Sequence, residues 1–396
     1  MRFLMLPAAA LAAALLSACQ SPAPSAGAPG TTASPPATEP AASTASEAPR
    51  YRPVALESIP AWTSSDLASG FAAWRKGCPR LVQRQPVWQE SCKAAQSVAD
   101  DADSIRRFLL QYLAAYQLES STGERSGLIT GYFEPIYPGS RSKTARAAVP
   151  VYGIPDDLIS VSLDGLYPEL KGKRLRGQLK GRQLLPYADS ASIRKQGLGA
   201  PVLAWLENPL DLQFLQVQGS GRVRLADGSE LRLGYADQNG HPYAPVGRWL
   251  IRNQEVPASE MSMQRIRQWA KANPARVGEL LDSNPSYVFF RTLPASNDGP
   301  PGSLAVPLTA GYSIAVDPNA IALGSPVFLA TTRPDNGAPI QRLVAAQDTG
   351  GAIRGAVRAD FFWGSGDQAG ELAGEMKQAG QLWLLWPKTA ALPNVR

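Results

Sequence analysis

The 396-residue chain has few of the residues that build metal and thiol sites. It contains one histidine, His241, and three cysteines, none of them in a Cys-x-x-Cys pair. These counts exclude a multi-histidine metal centre, a zinc ribbon and an iron–sulfur cluster. We therefore expect neither a metal nor an organic cofactor. Charged residues make up only 18% of the chain, but hydrophobic residues make up 44%, which is enough for a folded core and excludes a wholly disordered chain.

Several common catalytic motifs are also missing. The chain has no Gly-x-Ser-x-Gly elbow, no P-loop and no strand–Gly-x-Gly-x-x-Gly–helix unit. Asp348-Thr349-Gly350 is typical of aspartic proteases, but those enzymes need a second such aspartate to share the proton, and the chain offers no second copy. His241 lies in an Asn-Gly-His-Pro turn sequence, which predicts local hydrogen bonding rather than membership of a catalytic triad.

The N-terminus predicts export. Arg2 precedes an apolar run at residues 6–18 that is too short to span a bilayer and is typical of a signal-peptide core. The run ends in Leu-Ser-Ala-Cys, which resembles a bacterial lipobox, so we predict a signal peptide at residues 1–18 and lipidation of Cys19. The alternative is an ordinary signal peptide with a chance cysteine. Gln20, rather than an aspartate, predicts anchoring at the periplasmic face of the outer membrane.

Residues 19–50 combine the lipidated cysteine with a predicted flexible tether, because Ala, Pro, Ser, Thr and Gly dominate them. The net charge of +6 suits an anionic partner, such as nucleic acid, a membrane surface or a cell-wall polymer. Export argues against nucleic acid. In an oxidising periplasm, Cys78 and Cys92 predict a structural disulfide rather than catalytic thiols.

The globular part changes character along the chain. Residues 51–120 are predicted to be helical, with an amphipathic helix whose apolar residues run from Ile105 to Tyr116. Two further short helices are expected at residues 259–271 and 273–281. We predict strands at residues 127–133, 215–218, 223–225, 231–233, 343–346 and 382–385, with a hairpin that joins 223–225 to 231–233 through a turn at Asp227-Gly228. Many short strands and few helices favour β-barrels over a doubly wound sheet.

The densest chemistry lies in residues 347–366. Asp348 and Asp360 are twelve positions apart among glycines, close to Trp363. Carboxylic acids in aromatic-lined clefts are what glycan cleavage requires, because one acid must protonate the scissile oxygen while rings flank the sugar. The alternative is that both aspartates cap turns in a glycine-rich stretch.

This run resembles the 3D domain, which is named for its aspartates. The resemblance continues upstream through blocks at residues 130–132, 216–221, 234–236, 239–241, 261–264, 284–290 and 305–308. Together these blocks resemble the family of membrane-bound lytic murein transglycosylase A over about residues 55–390.

The resemblance implies a mainly β fold with N-terminal helices. It implies a double-psi β-barrel built from residues 51–134 and 296–396, a smaller β-barrel inserted at residues 135–295, and a groove between the two. The implied reaction cuts the β-1,4 bond between N-acetylmuramic acid and N-acetylglucosamine without water and leaves a 1,6-anhydro ring. The implied partners are peptidoglycan strands, the membrane through the lipid and proteins of a wall-synthesis complex, with the chain itself a monomer.

The resemblance also implies residue roles. Asp360 would be the general acid and base, with a raised pKa, and Asp348 a supporting carboxylate. The residues expected to line the groove are Thr130, Tyr132, Gln216, Gln218, Ser220, Tyr235, Asn239, Gly364 and Ser365. Gln218 and Tyr235 could equally be structural. Two rival functions remain: a wall-binding lipoprotein that does not cut, and a hydrolase that uses Asp348 as its second carboxylate.

Overall fold

The computed structural model describes residues 48–393 except 171, 172 and 174. Cys19, the predicted signal peptide and nearly all of the predicted tether lie outside these residues. The helices are α1 (Leu67–Arg84), α2 (Gln89–Ala95), α3 (Ala102–Tyr112), α4 (Ser190–Gln196), α5 (Pro209–Gln218), α6 (Val246–Arg252), α7 (Met263–Ala272), α8 (Val277–Asp282) and α9 (Asp367–Glu375). Within the described residues, none of the helices is both long and apolar enough to cross a bilayer.

Seventeen strands form three sheets among the described residues. The strands are β1 (Arg50–Val54), β2 (Leu113–Glu119), β3 (Gly127–Glu134), β4 (Ile136–Ser140), β5 (Val149–Tyr152), β6 (Ile159–Val161), β7 (Leu175–Lys180), β8 (Gln183–Leu185), β9 (Val202–Leu206), β10 (Ser220–Arg224), β11 (Glu230–Gln238), β12 (Val288–Thr292), β13 (Ser313–Val316), β14 (Pro326–Thr332), β15 (Pro339–Thr349), β16 (Ala359–Ser365) and β17 (Lys377–Pro387).

The first sheet closes on itself. Its strands pair in the order β17-β14-β15-β13-β16-β3, and β3 pairs again with β17, which makes a closed six-stranded barrel. β2 and β1 continue the sheet outward from β17. The barrel therefore combines β3 with five strands from the C-terminal part of the chain, and it encloses an apolar core. This arrangement confirms the predicted fold class of a mainly β protein with a closed barrel and N-terminal helices.

The N-terminal helices pack against this barrel. α1 lies on β15 so closely that a Cβ on Gly70 would come within 2.1 Å of the carbonyl oxygen of Leu343. α3 begins at Asp101, whose side chain accepts a hydrogen bond from the Ser104 amide at 2.8 Å. Cys78 of α1 and Cys92 of α2 form a disulfide with an S–S distance of 2.06 Å.

The second sheet encloses a separate core. Its strands pair in the order β12-β11-β10-β4-β9-β5, and α4 to α8 lie within the same stretch of chain. The chain enters this sheet from β3 through Pro135 and leaves it after β12. A third, small sheet, β6-β7-β8, lies between β5 and α4 in sequence.

Three local predictions were wrong. Residues 215–218 end helix α5 instead of forming a strand, because Asn208 caps that helix and Pro209 begins it. Residues 113–119 form strand β2, since the helix predicted to reach Tyr116 ends at Tyr112. Residues 50–54 form strand β1 within the stretch predicted to be helical.

Two helix boundaries also differ from those expected. α7 begins after Ser262, whose hydroxyl accepts the Arg265 amide at 3.1 Å, rather than at Ser259. The helix expected at residues 273–281 is a 3-10 turn followed by α8. The predicted strands at 127–133, 343–346 and 382–385 are confirmed, as is the hairpin of β10 and β11 with its turn at Asp227-Gly228.

Candidate active site in the closed barrel

A single row of paired residues crosses five strands of the barrel. Ala315 on β13 is paired with Asp348 on β15 and with Asp360 on β16. Asp360 is also paired with Thr130 on β3, which is paired in turn with Lys377 on β17. Because directly paired residues point to the same face of a sheet, the two carboxylates flank the methyl group of Ala315. Both aspartates remain partly accessible to solvent.

Asp360 receives a short hydrogen bond from a distant part of the chain. The Thr130 hydroxyl donates to Asp360 Oδ1 at 2.5 Å, and Arg358 donates to the same hydroxyl oxygen at 2.8 Å. Burial raises the pKa of Asp360, and the negative charge of Asp348 raises it further, against the opposing effects of Thr130 and Arg358. The direction of this pKa shift agrees with the expectation from the sequence, and it favours a protonated acid.

Asp348 is held at the end of β15 by several donors. Its Oδ1 accepts the Ser303 amide at 2.9 Å, the Ser303 hydroxyl at 2.8 Å and the Thr349 amide at 2.9 Å. Burial raises the pKa of Asp348, and these hydrogen bonds partly oppose the rise. The side chain therefore has a fixed orientation, and its second oxygen is left for other contacts.

Tyr132 forms part of the wall beside the two aspartates. Its ring packs against Phe362 with centroids 5.2 Å apart, and its hydroxyl lies beside Asp348. Burial raises the pKa of Tyr132, and the negative charges of Asp348 and Asp360 add to the rise. The phenol therefore stays protonated and can serve as a hydrogen-bond donor.

A buried ion pair links the barrel to the second sheet. Glu134, at the end of β3, is fully buried, and its Oε2 accepts a hydrogen bond from Nε of Arg222 on β10 at 2.9 Å. Ser365 donates its hydroxyl to the same carboxylate oxygen at 2.7 Å. Arg222 also donates to the carbonyl of Asp298, in the segment by which the chain returns to the barrel. The sequence reasoning missed this cluster.

Gly364 lets β16 bend toward this ion pair. Its φ of +107° is one that side-chain-bearing residues rarely adopt, and the register between β16 and β3 shifts at this point. After the shift, Ser365 is paired with Glu134. Of the two groove residues predicted here, Ser365 hydrogen-bonds to the inter-sheet ion pair, and Gly364 precedes it in the bend of β16.

Gln218 and Ser220 also lie where the two sheets meet. Gln218 ends α5, and its Oε1 accepts the Phe133 amide at 3.2 Å, which ties the second sheet to β3 beside Tyr132. Ser220 begins β10 two positions before Arg222. This contact is consistent with a structural role for Gln218, which was one of the two roles that the sequence allowed.

Gln216 and Asn239 lie inside the second core instead. Asn239 is buried, donates to the carbonyls of Ala188 and Pro285 at 2.9 Å each, and accepts the Tyr287 amide at 2.9 Å. Gln216 donates to the Val288 carbonyl at 3.4 Å. These contacts join loops around the core.

Tyr235 lies on β11 at a cleft of about 480 Å³, which Ile154, Leu203, Phe290 and Arg291 also line. His241 makes the predicted local hydrogen bond through its amide, which donates to Asn239 Oδ1 at 3.4 Å. Its Nε2 lies 2.7 Å from the carbonyl oxygen of Tyr187, 54 residues away in sequence. Within the described part of the chain, no three His, Cys, Asp or Glu side chains are grouped as metal ligands.

Comparison with known families agrees with this architecture. Residues 128–291 match the MltA specific insert domain, and residues 312–386 match the 3D domain. The closed barrel with its two aspartates, combined with this insert, defines a 3D-domain protein of the lytic transglycosylase class.

The chain belongs to the membrane-bound lytic murein transglycosylase A family, as the resemblance predicted. It is 31% identical to the Escherichia coli K12 protein of that name over 334 residues, which is 83% of this chain and 82% of the relative. The structure of MltA from Neisseria gonorrhoeae is similar, with 39% identity, a TM-score of 0.78 and coverage of 88% of this chain and 95% of that one. The structure of E. coli MltA with bound chitohexaose has 28% identity, a TM-score of 0.66 and coverage of 85% and 94%.

Proposed function

We propose that this chain is a peptidoglycan lytic transglycosylase. It cleaves the β-1,4 bond between N-acetylmuramic acid and N-acetylglucosamine and forms 1,6-anhydro-N-acetylmuramic acid. The observation that carries the proposal is Asp360, a partly accessible carboxyl group whose pKa burial raises and which Thr130 holds by one oxygen. Such a group is a suitable general acid at neutral pH.

Asp360 acts twice in this reaction. Because Thr130 donates to Oδ1, the acidic proton of Asp360 is on Oδ2, and that oxygen protonates the leaving glycosidic oxygen. The C1–O bond breaks as positive charge builds at C1. The Asp360 carboxylate then accepts the proton of the sugar's C6 hydroxyl while O6 bonds to C1. The attack is intramolecular, so the reaction needs neither a positioned water nor an enzyme nucleophile.

Asp348 supports Asp360 electrostatically. Its charge adds to the rise that burial causes in the pKa of Asp360, which favours the protonated form of that acid. The three hydrogen bonds on Oδ1 hold Asp348 in place, where its negative charge favours the cation that develops at C1. Neither a metal nor a cofactor enters this mechanism.

The glycan would lie in a groove between a catalytic unit, residues 51–134 and 296–396, and an insert, residues 135–295. Tyr132, Gln218, Ser220 and Ser365 lie along this boundary and are the groove residues that the geometry supports best. The chitohexaose bound by E. coli MltA supports a sugar-chain ligand. We propose further that lipidated Cys19 holds the enzyme at the periplasmic face of the outer membrane.

The test is mass spectrometry of muropeptides released from purified sacculi. The chain after residue 44 forms one compact unit and can be assayed without the anchor. We expect products one water lighter than hydrolysis products from the wild type, and a loss of about 10³-fold or more in rate for Asp360→Asn. The control is Asp227→Asn, which alters a carboxylate in an exposed turn.

Each alternative has its own outcome. Hydrated products from the wild type would assign a hydrolase in which Asp348 takes part directly. Binding to sacculi without release of any product would leave a wall-binding lipoprotein.

A further inference from the structure

The small sheet β6-β7-β8 has an apolar face made by alternate residues of all three strands. Leu179 is paired with Leu184, Gly177 with Ile159, and Leu175 with Val161. Side chains at alternate positions of a strand, and at directly paired positions of its neighbours, share a face. The apolar face of the small sheet therefore consists of Ile159, Val161, Leu175, Leu179 and Leu184.

The polar face of this sheet contacts the rest of the protein. Ser160 and Arg176 are paired with each other on that face. Arg176 Nε donates to Asp237 Oδ1 of β11 at 2.9 Å, and the Ser160 hydroxyl donates to Oδ2 at 3.4 Å. Arg176 and Asp237 are both largely buried by this contact. Because the polar face is attached to the second sheet, the apolar face points away from it.

The hairpin end of the apolar face is exposed to solvent, whereas Ile159, Val161 and Leu175 are half-buried. Leu179 is 61% exposed and Leu184 is 42% exposed, and neither belongs to a packed core cluster. Leu166 and Tyr167, which lie between β6 and β7 in sequence, are 72% and 47% exposed. A soluble surface rarely gathers so many large apolar side chains unless the patch binds something.

The charge of this segment identifies the chemistry of the partner. Residues 163–185 contain six Lys and Arg and two Asp and Glu, a net charge of +4 (6 − 2). Arg176 is neutralised by Asp237. Lys180 and Arg182 lie at the exposed hairpin end of β7 and β8, where Arg182 is in the turn and Lys180, paired with Gln183, is at the rim of the polar face. Aliphatic side chains flanked by cations fit an anionic lipid surface. Two copies of so positive a segment would repel each other, which disfavours self-association.

We propose that the β6-β7-β8 sheet, together with Leu166 and Tyr167 between β6 and β7, docks on an anionic phospholipid surface. Leu179 and Leu184 enter the boundary between headgroups and acyl chains, and Lys180 and Arg182 contact lipid phosphates. The proposal rests on the envelope location proposed above, in which a lipid at Cys19 keeps the enzyme beside a membrane. The contact would fix the orientation of the protein on that membrane, which a flexible tether alone cannot do.

The experiment is vesicle flotation with residues 45–396, so that no lipid anchor contributes. Vesicles of phosphatidylethanolamine and phosphatidylglycerol should bind the wild-type protein, and phosphatidylcholine vesicles should bind it at least about tenfold more weakly. Leu179→Ser/Leu184→Ser and Lys180→Gln/Arg182→Gln should each weaken binding to the anionic vesicles by about tenfold. Val87→Ser, which alters an aliphatic residue exposed in the N-terminal part, is the matched control and should bind like the wild type.

The outcomes separate this proposal from the proposed function. All the variants should release anhydro products from fragmented sacculi at the wild-type rate, because none of these residues lies at the aspartates. Full activity without flotation on anionic vesicles would overturn the docking proposal alone. A dimer that Leu179→Ser/Leu184→Ser dissociates would assign the face to a second copy. Flotation that the leucine substitutions leave unchanged, or capture of a protein partner in its place, would likewise overturn it.

Discussion

Asp348 and Asp360 lie one strand to either side of Ala315, in the same row of the barrel. Two strand spacings put their backbones about 10 Å apart. Burial raises the pKa of Asp360 most, and the neighbours of Asp360 act on that pKa in opposite directions: Thr130 and Arg358 lower it, and the charge of Asp348 raises it further.

Replacing Thr130 with valine should move the alkaline limb of the pH–rate profile to higher pH. In the proposed reaction Asp360 must be protonated, so the rate should fall as pH rises through the pKa of that acid. The Thr130 hydroxyl stabilises the carboxylate and lowers this pKa, so its removal raises it. We also expect kcat/KM to fall by about tenfold or more, because Asp360 loses its orientation. Profiles of anhydro-product release measure both effects, and Thr130→Ser should restore the wild-type limb.

Replacing Asp348 with asparagine should move the same limb in the opposite direction. The negative charge of Asp348 raises the pKa of Asp360, so neutralising it lowers that pKa, and the acid form is lost at lower pH. We expect kcat to fall by about 10- to 100-fold, because the developing cation loses a stabilising charge. Asp335→Asn, at an exposed carboxylate paired with Arg333, is the control. A limb that moves upward in Asp348→Asn would contradict the electrostatic role.

Replacing Glu134 with glutamine should destabilise the protein by about 2 kcal/mol, because Arg222 then loses its fully buried partner and keeps only the partly exposed Glu230, at 3.3 Å, as a carboxylate contact. Urea unfolding followed by circular dichroism measures the loss. The double variant Glu134→Gln/Arg222→Met should recover part of it, since no unpaired charge remains. Asp335→Asn breaks an exposed pair and should cost less than about 1 kcal/mol. Equal losses in both single variants would rule out a special contribution from the buried pair.

Removing the disulfide with Cys78→Ala/Cys92→Ala should lower the free energy of unfolding by about 3 kcal/mol, because a cross-link of this span restricts the unfolded chain. Dithiothreitol should destabilise the wild type by a similar amount and leave the double variant unchanged. Thiol labelling of the unreduced, denatured wild type should find neither cysteine free. Labelling of both would show that the bond does not form.

Short sequence patterns predicted the features that residues close together in the sequence determine. Asp348 and Asp360 could be identified as a pair because they lie in one glycine-rich run, and the Asp227-Gly228 turn indicated its own hairpin. Residues 215–218 were wrongly predicted to form a strand, because apolar and polar residues alternate in Leu-Gln-Val-Gln as they do in a half-buried strand. Asn208 and Pro209, further upstream, mark the start of the helix that contains them.

Features that depend on tertiary pairing could not be read from local patterns. Thr130 and Asp360 are 230 residues apart in sequence, and only the parallel pairing of β3 with β16 brings them together. The family resemblance named both residues but not their contact. Glu134 precedes a proline and resembles an ordinary turn residue. The only local hints of the buried ion pair were a glutamate directly after an apolar strand and an arginine, Arg222, within another.

The closure of the barrel by β17 has a consequence for how the protein matures. β3 is synthesised early, but its partners β16 and β17 are among the last strands to leave the ribosome and to cross the membrane in an exported chain. The second sheet and its core lie entirely between β3 and β16 in sequence, so they can fold before β3 pairs with its partner strands. Asp360 meets Thr130 only after nearly the whole chain has arrived. A prematurely terminated product therefore lacks the pairing of Asp360 with Thr130, and we expect an incomplete chain to be inactive.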